Sequence, residues 1–169
     1  MFIKAILSFG VVFATLTFVP QVNLTGIKCV VEGERAALQS AAVKYKDGMV
    51  FLCNDRCVET FKKDLESAAD AKFTTKANHQ LVLTGQYVQK GCPVTGKPVD
   101  EIFSVTVSAV KVGFSCADCR AKITDLKTIE EKVELLFSDA AFEKAFGPKE
   151  IKLALAKSAK NEAVQETMK

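Results

Sequence analysis

The chain has no tryptophan, two tyrosines, four prolines and a single histidine, His79, in 169 residues. With one histidine, no Ser-His-Asp set is expected. There is no glycine-rich phosphate loop. The 23 basic and 20 acidic residues are interspersed, for a net charge of +3. No basic block stands out, so nothing points to a nucleic-acid partner. "KDLE" and "TIEEK" read as solvated helix faces rather than acid–base pairs. A c-type haem is excluded, because Val58 and Arg120 follow the closely spaced cysteines where a histidine would be needed. The chain is therefore not expected to be an enzyme.

Apolar residues make up 49% of the chain, a figure raised by its opening. Lys4 is followed by an apolar run from Ala5 to Val19 and then Pro20. That is the layout of a secretory signal, with an apolar core too short for a comfortable membrane span. Residues 1–24 are read as a signal peptide or, if uncleaved, an N-terminal anchor. The remainder is expected to be secreted or periplasmic, where disulfides form. It would meet a membrane only through an uncleaved opening segment. All six cysteines lie beyond that segment.

An internal repeat organises them. "CVVEG" (Cys29 to Gly33) and "CPVTG" (Cys92 to Gly96) both read Cys-x-Val-x-Gly, 63 positions apart. The same offset maps Met49 to Val112, Phe51 to Phe114 and Cys53 to Cys116. The match then slips by one, so that Cys57 maps to Cys119 and Phe61 to Ile123. Each unit opens on a turn, with Gly33 or Gly96 supplying backbone freedom. Strands follow: Val110, Val112, Phe114 and Cys116 alternate with polar or small residues, the period of a half-buried strand. Asp47-Gly48 marks a hairpin turn. Val58, Phe61 and Leu65 then recur at helical spacing, and helix-forming residues continue through "DLESAADAKFTTKANHQLV". Ser138 is placed as the N-cap of "DAAFEKAF", with Gly147-Pro148 as its stop. Residues 148–169 are read as a C-terminal helical tail.

Six cysteines in an exported chain could form three disulfides in 15 connectivities. A metal-free, disulfide-stapled interaction module is therefore one reading. The odd count per repeat favours another. Three cysteines leave one thiol over, whereas a cluster of three thiols makes a metal site. Four positions apart on a helical turn, Cys53 and Cys57 would have Cβ atoms roughly 5–6 Å apart. A disulfide needs about 3.8 Å. Thiolates select soft ions, here Zn(II) or Cu(I). A structural zinc site wants a fourth ligand. Asp55, Asp118 and His79 are candidates, although the two aspartates also read as helix-start residues and His79 as a helix-surface or linker residue. Met49 and Met168 are further soft candidates, with Met49 also at a packing position. A redox role for Cys116-Ala-Asp-Cys119 would call for a βαβ context that the pattern does not supply.

"CPVTGKPVD" at Cys92 to Asp100 and "MVFLCNDRCVETFKKD" at Met49 to Asp64 resemble the beginning and end of YHS and TRASH domains, small heavy-metal-associated modules. The resemblance implies metal contact for Cys29, Cys53 and Cys57 in one unit and for Cys92, Cys116 and Cys119 in the other. The units depart from the family, whose second cluster often has adjacent cysteines. Asn54 takes one such place and Ser115 another. The expected architecture is α+β: two small tandem treble-clef-like modules, each a turn, a β-hairpin and a helix. They span residues 28–90, with a helical extension, and 91–147. The expected function is an extracytoplasmic metal-binding protein with two three-cysteine sites, serving a structural, buffering or carrier role.

Overall fold

A computed structural model describes residues 21–67 and 71–150. The expected signal segment, up to residue 20, and the helical tail, from residue 151, lie outside the described residues, as does Met168. Among the described residues, no helix is long and apolar enough to cross a membrane.

The fold is α+β, with five helices and three two-stranded antiparallel sheets among the described residues. Strands β1 (Ala42–Tyr45) and β2 (Gly48–Phe51) form the first hairpin, which leads into α1 (Asp55–Glu66). Helix α2 (Thr74–Leu83) and strand β3 (Tyr87–Gln89) come next. Strands β4 (Asp100–Val107) and β5 (Val110–Phe114) form the second hairpin and lead into α3 (Ala117–Thr124). Helices α4 (Ile129–Phe137) and α5 (Asp139–Ala145) precede β6 (Phe146–Pro148), which returns to pair with β3.

The first hairpin turns one residue earlier than Asp47-Gly48 suggests. Tyr45 pairs with Gly48, so the two-residue loop is Lys46-Asp47, with Lys46 at φ +49. Gly48 is needed for a different reason. A Cβ there would lie 2.6 Å from Leu81 Cδ2 and 3.0 Å from Gln86 Oε1, so glycine lets α2 lie close against the hairpin.

The long helix-forming stretch after Cys57 holds two helices, α1 and α2. Helix α1 ends at Glu66, and the Asp64 carboxylate accepts the backbone N–H groups of Lys72 and Phe73 just ahead of α2. The carboxylate thus holds the chain just ahead of α2, which sets off anew. Capping also separates α3 from α4. Thr128 and Glu131 form a reciprocal capping box that starts α4. Ser138 does precede α5, but its side chain makes no capping bond, and the helix ends at Ala145. Gly147 and Pro148 belong to β6.

One contiguous core runs through both cysteine-bearing stretches. It holds Cys29, Val50, Leu52, Cys57 and Phe61 together with Cys92, Val112, Phe114, Cys119 and Ile123. The pairing of β3 with β6 ties the end of the first stretch to the end of the second, and Lys90 and Gly91 both donate to Ala145 O. Aromatic stacking closes the same region, with Phe142 5.5 Å from Phe146 and 4.9 Å from Tyr87. A second, smaller cluster of Ile27, Ala37 and Phe51 takes the other face of β2, with Met49 packed against it. Met49 is therefore a packing residue.

Candidate metal centre

Each leading cysteine sits in a tight turn. Cys29 O accepts from Gly33 N at 2.8 Å, and Cys29 N donates to Arg35 O at 2.8 Å. Cys92 O accepts from Gly96 N at 2.7 Å, and Cys92 N donates to Lys97 O at 2.8 Å. Gly33 and Gly96 have φ of +71 and +75, a region that favours glycine. The turn offers backbone N–H groups to the sulfur inside it. Burial pushes the Cys29 thiol up. The backbone N–H groups of Glu32, Val31 and Cys53 outweigh it, so Cys29 lies below the ordinary thiol range.

The closely spaced cysteines arrive from helix starts. Asn54 is the N-cap of α1, its side chain accepting from Cys57 N at 2.9 Å. This places Cys57 in the first turn of α1. Cys53, just before the cap, lies 3.6 Å from Cys57, Sγ to Sγ. The sulfurs of Cys29, Cys53 and Cys57 all lie within 4.8 Å of one another, so the group could hold a metal ion. Zinc–sulfur bonds of about 2.3 Å in tetrahedral geometry set sulfurs about 3.8 Å apart. The Cys53–Cys57 distance is already close to that spacing, and the other two sulfur–sulfur distances are no more than 4.8 Å. Cys29 and Cys57 are buried and Cys53 is half-buried. Burial, then its two thiol neighbours, push Cys57 up to about 12, and Cys53 is raised by burial and by Cys29. Three anionic sulfurs in one place repel one another, and a bound cation reverses that balance.

None of the expected fourth ligands joins this group. Asp55 and Asp118 lie in the first turns of α1 and α3. His79 is on α2, its ring 4.7 Å from that of Phe137, with Nε2 buried and unpartnered. It is half-buried rather than a surface residue, and burial lowers its pKa to about 4. A different residue stands at the cluster. The Cys53 thiol donates to Glu32 Oε2 at 3.4 Å, and Arg35 Nε holds the same oxygen at 3.2 Å. Glu32 lies inside the "CVVEG" turn, and its position there was the one available signal.

The second set is built differently. Cys116 takes the N-cap place of α3, accepting from Cys119 N at 3.4 Å, so it corresponds to Asn54 and not to Cys53. Ser115 corresponds to Cys53. Burial supports this register: Val50, Leu52, Cys57 and Phe61 point inward, as do Val112, Phe114, Cys119 and Ile123, at a constant offset of 62. The one-residue slip between the units thus falls before the hairpins, not after them. Thr95, three residues after Cys92 as Glu32 is after Cys29, has its hydroxyl 3.0 Å from that of Ser115. The second unit therefore has Thr95 and Ser115 where the first has Glu32 and Cys53. Burial pushes Cys92 up, but hydrogen bonds from Thr95 and Ser115 hold it down at about 6. Cys116 and Cys119 lie 2.9 Å apart, Sγ to Sγ. Among the described residues, no second group of three such ligand atoms lies within 4.8 Å of one another.

Two glutamines hold the turns against the hairpins, and local sequence patterns give no sign of them. Gln80 Oε1 accepts from Phe51 N at 2.7 Å, while its Nε2 donates to Phe51 O at 2.9 Å and Lys28 O at 3.0 Å. Gln89 does the same for Gly113 N and O, at 2.8 and 2.7 Å, and for Gly91 O at 2.8 Å. Lys28 and Gly91 immediately precede the two turn cysteines. Each side-chain amide thus substitutes for a strand edge and ties the turn to its hairpin.

No protein-family model, curated protein or solved structure matches the chain. The resemblance to YHS and TRASH domains rests on the motifs themselves.

Proposed function

We propose that Cys29, Cys53 and Cys57 hold one soft metal ion, Zn(II) or Cu(I), and that the chain is an extracytoplasmic metal-binding protein built from two tandem, treble-clef-like units related to YHS and TRASH modules. The observation that carries this reading is the convergence of three thiols within 4.8 Å from a turn, a strand end and a helix start. Soft sulfur ligands suit these ions and not Mg(II) or Ca(II). An ion there would cross-link the 29–33 turn to α1, and so contribute directly to folding of the first unit. With three thiolates alone the site suits trigonal Cu(I). The carboxylate of Glu32 is the nearest further ligand for tetrahedral Zn(II).

The test is native mass spectrometry of the reduced chain titrated with Zn(II) or, anaerobically, with Cu(I). One tightly held ion per chain is expected, lost on Cys57→Ser. Absence of stoichiometric uptake of either ion would end the metal reading.

A further inference from the structure

The second cysteine set has lost two of the ligand positions of the first and gained a thiol that the first lacks. Thr95 and Ser115 replace Glu32 and Cys53 by hydroxyls, and Cys116 replaces the capping Asn54. The gained thiol sits one helical turn before Cys119, with the two sulfurs 2.9 Å apart. A disulfide bond is about 2.05 Å long, so little movement separates this pair from bonding. In the first unit the capping place of Cys116 is held by Asn54, an amide with no redox chemistry. Exposure also differs within the second set. Cys116 is half-buried and open to a reagent, Cys119 is 4% exposed, and Cys92 is fully buried.

From this geometry we propose that Cys116 and Cys119 form a redox-active dithiol, a site that exchanges with disulfides and closes reversibly into an intrahelical disulfide, while Cys92 stays reduced beneath it. The partner is a disulfide of a small thiol or of another protein. Cys116 loses its proton to solvent and, as the thiolate, attacks one sulfur of the partner R–S–S–R. The Cys116–S–S–R bond forms, the partner's S–S bond breaks, and one RS⁻ leaves and takes up a proton. Cys119 then loses its proton to solvent and attacks Cys116 Sγ, releasing the second RS⁻, which is also protonated. Two electrons pass from the dithiol to the partner, and two thiols are produced. α3 follows an antiparallel hairpin and not a βαβ unit, so the roles rest on the helix start and on exposure: the accessible cysteine at the N-cap suits the attacking role and the sheltered one in the first turn the resolving role. This inference does not depend on metal binding at the first unit.

The full chain would be equilibrated across a series of reduced and oxidised glutathione mixtures, quenched with acid and labelled with N-ethylmaleimide. Peptide masses would then be read cysteine by cysteine. Cys116 and Cys119 are expected to lose their labels together in one two-electron transition, with Cys92 labelled throughout after denaturation. Cys119→Ser should accumulate glutathione on Cys116, Cys116→Ser should lose the transition, and Cys92→Ser should keep it. A chain carrying Cys29→Ser, Cys53→Ser and Cys57→Ser should show the same transition, which separates this outcome from failure of the metal reading. Three results would overturn the proposal. Both thiols could stay labelled in excess oxidised glutathione. Cys119 could pair with Cys92 instead. Zinc could abolish the transition in the triple variant, which would make the second set a metal site.

Discussion

The two cysteine turns are near copies in their backbone and different in their chemistry. Both wrap a cysteine around a left-handed glycine, both are tied to a hairpin by a glutamine amide, and both face a cysteine in the first turn of a helix. The difference lies in three side chains: Glu32, Cys53 and Asn54 in one, Thr95, Ser115 and Cys116 in the other. The scaffold decides where sulfurs and oxygens can meet. The side chains at those places decide whether the result is three converging thiols or a contacting pair. A shared backbone device therefore does not imply a shared function, because the site and not the fold carries the chemistry.

The largest effect is expected from exchanging the two patterns. Cys53→Ser with Asn54→Cys gives the first unit the thiol placement of the second, with Glu32 kept. Its zinc affinity, read by chelator competition, should fall by more than about 100-fold, the upper range for loss of a mere outer-shell partner. Unchanged affinity would show that Cys53 is not a ligand. The reverse exchange, Thr95→Glu with Ser115→Cys, should create a second tightly held ion per chain in native mass spectra. If none appears, the two turns differ in geometry as well as in ligands.

A smaller effect separates the clamps. Gln80→Leu removes three hydrogen bonds and orphans the buried N–H and C=O of Phe51, which should cost about 2–4 kcal/mol in urea unfolding. It should also weaken metal binding, since the 29–33 turn loses its tie. Gln89→Leu should destabilise the chain without changing metal affinity at the first unit. Equal loss of metal in both variants would show that stability, not positioning, is being measured.

The third effect appears only in acid. His79 is kept neutral in the folded chain, with its pKa lowered to about 4 from 6.5. Between those values the unfolded chain binds a proton that the folded one does not, so stability is full above pH 6.5 and is lost as pH falls toward 4. The total is roughly 3 kcal/mol. His79→Leu should flatten this slope in urea midpoints measured across that range. An unchanged slope would locate the acid sensitivity elsewhere.

Much of the local structure was readable in the chain. Alternation marked β5, helical spacing marked the buried Phe61 with Val58 and Leu65 beside it, and the Cys-x-Val-x-Gly repeat marked both turns. The match between the two units needed correction for one reason. Met49 was matched to Val112, and Cys53 to Cys116, because identity of residue type was taken to carry the register. Burial instead pairs Val50 with Val112, and helix capping pairs Asn54 with Cys116. Asn and Cys have nothing in common in composition, but both can accept the backbone N–H at a helix start.

The chain by itself determined which residues carry soft ligand atoms, where the two cysteine turns fall, and that a Cys-x-Val-x-Gly pattern recurs. Those are local properties, set by side-chain chemistry and by periods of two and of 3.6 residues. Only the tertiary structure decided which thiols meet. Cys29 reaches Cys53 and Cys57 across two dozen residues of chain through a hydrogen bond network anchored on Gln80 in a later helix, and a one-residue shift turned Ser115, not Cys116, toward Cys92. Contacts made over such separations depend on packing and register, and a one-residue change in register moves a side chain to the opposite face of a strand or from a ligand position to a helix cap.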